Sequence, residues 1–263
     1  MPIQISVINS STVLTDQQVS DVVPVLQKQV TQDFYPVWGV DAKLTFVPSA
    51  GDPDTSSWWL VILDDSDQAN ALGYHDITSE GLPLGKVFAG SDMKFGSNWT
   101  VTASHELLEM LGDPDINLTA FVQTSDTAGT LYAYEVCDAC EADEYAYKVD
   151  GVEVSDFVYP SWFESFRKKN STQFDQQNKI TQPFQLLTGG YIGVFDISAG
   201  SGWHSLMGEK TLASVFSRGT VGSRRERRRV LRKNWVPSSA HSEIRRKRKE
   251  YRTRLTKALG RAA

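Results

Sequence analysis

The sequence is short of cysteine, of long apolar runs and of internal repetition. Two cysteines, Cys137 and Cys140, in 263 residues are too few for a disulfide framework, and they fit a reducing compartment. No run of about 18 apolar residues is present, which excludes a bilayer-spanning helix of the usual kind, and no membrane partner is expected. The opening MPIQISVINS lacks the charged start and apolar stretch of a secretory leader, so the expectation is a soluble chain, cytoplasmic or particle-associated and not conventionally secreted. No repeat of fixed period occurs.

What is present is enough apolar sequence, 40% of residues, to bury a sizeable core, and a net charge of −5 that hides a segregation. Residues 218–263 hold 17 Lys+Arg and 3 Asp+Glu, net +14, and the remaining 217 residues hold 10 and 29, net −19. Such asymmetry points to separate partners for the two parts. The expected organisation is a domain over 1–217 and a basic helical C-terminal arm over 218–263.

Within the first part, ISVINS at 5–10 alternates as a strand does. After Thr15 and Asp16, apolar residues at Val19, Val22, Val23, Leu26, Val30 and Phe34 follow a helical period. Pro24 lies inside that pattern, which implies a kink or a shorter helix. Two β-rich runs, AKLTFVPS and SWWLVILDD, flank the turn-forming AGDPDTS, and a third, KVFAG, follows. Asp150-Gly151 between alternating runs is a hairpin signal, and YIGVFDI reads as a late strand. The order β-α-β-β-β-α, then irregular chain and a hairpin, makes the fold class α+β.

The strongest helix signal is NWTVTASHELLEMLGDPD. Ala103, Leu107, Met110 and Leu111 form an apolar stripe, and Gly112 followed by Pro114 supplies a stop. At ~100° per residue, His105 and Glu109 are about 40° apart in projection and lie away from that stripe. HELLE at 105–109 differs in one residue type from HExxH, in which two histidines one turn apart bind zinc and the intervening Glu activates water. Glu109 in place of the second histidine is still a zinc donor. As an anionic one, it makes bound water less acidic and moves preference toward oxygen-seeking metals.

HELLEMLGDPD resembles the extended zincin pattern HExxHxxGxxH/D, with Gly112 at the glycine and Asp115 at the final ligand position. It is similar also to bacterial and phage proteins carrying His-Glu-Leu-x-Glu, Asp-Pro and a downstream Glu-(Val/Ile)-x-Asp, matched here by Glu135-Val136-Cys137-Asp138. The resemblance implies a zincin-like mixed sheet with an active-site helix and a divalent metal, zinc first, on His105, Glu109 and either Glu135 or Asp115. Glu135 is preferred because Pro114 restricts the path to Asp115. It further implies Glu106 as general base, with Asp113 and Asp138 orienting ligands from behind. Tyr147, Tyr159 and His204 qualify as oxyanion stabilisers by residue type alone.

Cys137-x-x-Cys140 reads as half a zinc site, a redox pair or two buried apolar residues. A deaminase site needs H-x-E with P-C-x-x-C, but His105 and Glu106 are adjacent and Val136 occupies the proline position. The acids Glu135, Asp138, Glu141, Asp143 and Glu144 lack EF-hand spacing. In the arm, Arg224, Arg225, Arg227, Arg228 and Arg229 form one basic cluster, and Arg245, Arg246, Lys247, Arg248 and Lys249 another. Ser223 and Ser242 are N-cap candidates for two helices. Charge of this density suits a protein assembly partner, such as a virion or other particle, or nucleic acid through phosphate contacts. Only Trp235 and Tyr251 are available for stacking, which argues against base recognition. Two functions remain open: a zincin-type metallohydrolase, of peptidase kind, and a structural particle component that keeps the scaffold.

Overall fold

The structure, a computed structural model, describes residues 2–68, 71–78, 80–199 and 202–209. These belong to one unit of the chain, Met1–Ser223. The basic clusters at 224–229 and 245–249, the N-caps expected at Ser223 and Ser242, and the whole arm at 218–263 lie outside the described residues. No helix among the described residues is long and apolar enough to cross a membrane.

The fold is mixed α+β. Strand β1 (Ile3–Asn9) leads into helix α1 (Asp16–Lys28). Thr15 caps that helix: its hydroxyl accepts from the Gln18 N–H, and the Gln18 side chain accepts from the Thr15 N–H, a reciprocal pair that satisfies two donors at the helix start. The helix passes through Pro24 rather than ending there. It continues as a π-helical stretch (Gln29–Phe34) and a last turn, α2 (Tyr35–Trp38), closed by Gly39 at φ 70°. All six apolar positions of the period are buried, so packing outweighs the missing proline N–H.

Strands β2 (Ala42–Val47), β3 (Trp58–Leu63), β4 (Gly73–Ile77) and β5 (Pro83–Phe88) complete a five-stranded sheet with β1, in the order β2-β1-β3-β5-β4. Its pairs are parallel except for the edge strand β4, which runs antiparallel to β5. β4, sequence GYHDI, was not anticipated, because five residues with a single tyrosine and isoleucine carry too little period-two signal. Register puts Ile5, Val7, Leu60, Ile62 and Val87 on one face, where each is buried and contributes about 1.5–3 kcal/mol.

Helices α3 (Ala89–Phe95) and α4 (Trp99–Gly112) follow, and α4 packs on β3, β4 and β5. One glycine sets how closely it approaches: a methyl group on Gly73 would sit 2.7 Å from Glu106 Oε1 and 2.8 Å from Thr102 Cγ2. A methyl group on Gly85 would instead fall 2.8 Å from Leu60 Cδ1 of the neighbouring strand β3. From behind, Gln29 of the π-helical stretch accepts from the Ser104 hydroxyl at 2.6 Å, while its amide donates to the Ser155 carbonyl at 2.9 Å. The residue before His105 is therefore held by a buried polar network.

The rest of the described chain forms strands β6 (Thr119–Gln123), β7 (Gly129–Ala133), β8 (Tyr147–Val149), β9 (Val152–Val154), β10 (Tyr191–Asp196) and β11 (Trp203–Met207). They build a four-stranded sheet, β11-β10-β7-β6, and the β8–β9 hairpin. That hairpin turns at Asp150 (φ 49°) and Gly151 (φ 87°), as the Asp-Gly signal predicts. Between them, Asp156 and Asp175 form a buried carboxyl pair. Asp156 accepts from the Phe157 and Gln177 N–H groups, and Asp175 from those of Lys179 and Ile180.

Two outcomes are expected from this packing. Gly73→Ala forces Glu106 or β4 to move and should destabilise the protein by about 1–3 kcal/mol in urea titration. Burial, together with the neighbouring Asp175, pushes the Asp156 carboxyl up to about 8 from 3.8. Stability from this group is therefore fully present below pH 3.8 and is lost as pH rises through about 8. Asp156→Asn should flatten that decline in unfolding free energy measured across the interval.

Candidate metal centre

Helix α4 starts at Asn98, whose side chain accepts from the Thr100 N–H at 3.1 Å. From Ala103 to Leu111 every residue is buried. The face opposite the apolar stripe is therefore not turned to solvent, as amphipathic reasoning would have it; it is roofed by β4 and by residues 135–138. There His105 and Glu109, one turn apart, meet donors from two other parts of the chain.

Two buried groups of donors result. In one, His75, Glu109 and Glu135 each offer an atom, and all lie within 4.8 Å of one another; in the other, His105, Glu109 and Asp138 do the same. The Glu109 carboxylate is shared. Its Oε1 is 3.2 Å from His105 Nε2 and its Oε2 is 3.5 Å from His75 Nδ1, while Asp138 Oδ1 lies 3.3 Å from His105 Nε2. An imidazolium hydrogen-bonded to a carboxylate prefers about 2.7–2.9 Å, and one Nε2–H cannot point along two lines at once. Donors about 2.0–2.1 Å from a tetrahedral cation are about 3.3 Å apart, close to the separations observed. The set of imidazole nitrogens and carboxylate oxygens suits zinc, manganese or iron.

Electrostatics agrees with a cation. Burial alone would lower the His105 imidazole, but Glu109, Asp138 and Glu106 outweigh it and push it up to about 10. The carboxylates thus demand a positive charge at this spot, and a proton and a metal compete to supply it. Burial pushes the thiols of Cys137 and Cys140 well above their ordinary value, so both stay neutral. They are free cysteines within the core, which matches the buried-apolar reading of the Cys-x-x-Cys.

No family model, curated protein or solved structure matches this chain. The geometry therefore stands alone.

Of the residues anticipated from sequence, His105, Glu106, Glu109, Glu135 and Asp138 come together, all at most 5% exposed. Glu135 groups with His75 rather than with His105. Asp138, expected to orient ligands, instead aims an oxygen directly at His105. Asp115 is exposed and belongs to neither group, because the turn after α4 directs it outward. Asp113 is buried, and its carboxylate accepts from the Asn117 and Leu118 N–H groups, organising that turn. Gly112 serves close approach: a methyl group there would fall 2.8 Å from Val136 Cγ1, next to Glu135. The oxyanion candidates are occupied elsewhere or outside. The Tyr147 hydroxyl donates to Asp33, Tyr159 donates to Gln176, and His204 is exposed on β11.

His75 went unrecognised. It is 1% exposed on β4, opposite Gly85. A lone histidine in a short strand has no partner at fixed spacing; the flanking Gly73 and facing Gly85 were the only traces it left.

The raised His105 value yields a pH test. In metal-free protein the stabilisation from its proton is fully present below pH 6.5 and is lost as pH rises through about 10. Chelator-treated protein should therefore lose thermal stability across that interval. Zinc-loaded protein should not, as the cation replaces the proton.

Proposed function

We propose that this protein is a divalent-metal-dependent hydrolase of zincin type that cleaves peptide bonds. The supporting observation is the position of Glu106. It belongs to neither donor group, yet its carboxylate Oε2 lies 3.9 Å from His75 Nδ1 and is 3% exposed as a residue. A base next to a ligand set, but outside it, is what hydrolysis by an activated water requires. The order of strands before α4 and the HELLE sequence add the zincin resemblance.

A bound divalent cation supplies the Lewis acid that polarises a substrate carbonyl and acidifies water. The Glu106 carboxylate takes the proton of the attacking water and returns it to the leaving amine. The His105 and Asp138 side chains keep 7% and 5% of their surface exposed, against none for His75 and Glu109. The basic segment at 218–263 docks the domain on a protein particle, in line with its net charge of +14.

A second reading has its own observation. Closed, inaccessible metal sites are the structural kind, and His75 and Glu109 have fully buried side chains. On that reading the chain is a structural particle component, of phage virion type, held together by its metal.

Glu106→Gln separates the two. With labelled casein as substrate and zinc present, hydrolysis should fall at least about 100-fold, with bound metal unchanged by elemental analysis. Wild-type activity in the variant, or no hydrolysis by the unaltered protein, overturns the hydrolase reading. Truncation after Phe216 should abolish particle assembly and leave casein hydrolysis unchanged; assembly by the truncated chain would remove the docking role.

A further inference from the structure

We propose that the centre is dinuclear, with one divalent cation on His75, Glu109 and Glu135, a second on His105, Glu109 and Asp138, and the Glu109 carboxylate bridging them. This rests on the metal-binding part of the reading above, and goes beyond the single ion that a HELLE helix implies.

The donors fall into two groups and not one. Each group gathers three atoms within 4.8 Å, and Glu109 alone is common to both. A single cation with bonds of about 2.1 Å needs all its donors within about 4.2 Å of one another, which suits either group by itself better than a merger of the two. Glu109 is also oriented as a bridge. Its two oxygens face different imidazoles, Oε1 toward His105 and Oε2 toward His75, whereas a chelating carboxylate would turn both toward the same ion. Carboxylates used in this way hold metal pairs about 3.5–4 Å apart.

The chain provides the two halves by separate means. His105 and Glu109 come from α4, His75 from the edge strand β4, and Glu135 and Asp138 from the segment that Gly112 allows close to the helix end. Glu135 and Asp138 are three residues apart, one for each group, on the irregular stretch that ends where a 3-10 turn begins at Asp138. Charge also balances. The carboxylates of Glu106, Glu109, Glu135 and Asp138 offset two divalent cations when both imidazoles are neutral ligands, so the buried assembly is formally uncharged.

Elemental analysis and electron paramagnetic resonance of full-length protein test this, after chelator dialysis and reloading with Mn(II). The expected result is two Mn(II) per chain with an exchange-coupled spectrum. Glu135→Gln and Asp138→Asn should each leave one ion per chain, with the hyperfine pattern of an isolated Mn(II), and circular dichroism should show both variants folded. One ion per chain in the unaltered protein, or two with no coupling, overturns the dinuclear centre and leaves the hydrolase reading intact. No bound Mn(II) or Zn(II) overturns both. Should either variant fail to fold, the stoichiometry and coupling of the unaltered protein decide alone.

Discussion

Four carboxylates and two imidazoles buried around Glu109 are the constraint to which the rest of this fold answers. Removing an ion from water costs several kcal/mol even after relaxation, and the groups of Glu106, Glu109, Glu135 and Asp138 are all at most 4% exposed. Opposite charge placed among them offsets that cost. The elevated His105 imidazole is the form this takes when a proton is the cation, and divalent metal is the form the donor geometry favours.

The surrounding architecture serves to keep those groups close. Gly73 lets α4 lie near β4, and Gly112 admits Val136 against the helix end. On the far side, Gln29 ties Ser104 to Ser155, which limits rotation of α4 about its own axis. The outer face of β4 is pinned as well: the Lys86 ammonium donates to Asp67 at 2.6 Å and to the Tyr74 hydroxyl at 2.7 Å, while burial pushes the Tyr74 phenol up to about 12. β4 is thus fixed by polar contacts on one face while His75 serves the centre on the other. The function proposed for the protein depends on this rigidity, since ligand placement within a fraction of an ångström governs metal affinity.

Much of this was legible in residues with local periodicity. The helix over 99–112 showed through its 3.6-residue stripe and its Gly-x-Pro stop, and the α1 pattern through Thr15, Asp16 and six apolar positions. The helix i, i+4 relation of His105 and Glu109 is likewise local, so their convergence could be read directly. The Glu-Val-Cys-Asp string identified Glu135 and Asp138 as acids of interest, but not which donor group each enters, because that depends on the path of an irregular segment.

Sequence by itself determined the α+β composition, the helix that carries His105, Glu106 and Glu109, the Asp-Gly hairpin and the separation of an acidic body from a basic segment. These follow from short-range geometry and from counting charge. Tertiary structure alone decided that His75 joins the site, that Asp138 faces His105, that Asp115 turns outward and that Glu109 lies between two donor groups. Each of those depends on contacts between residues tens of positions apart, created only when an edge strand, a helix and a loop are packed together.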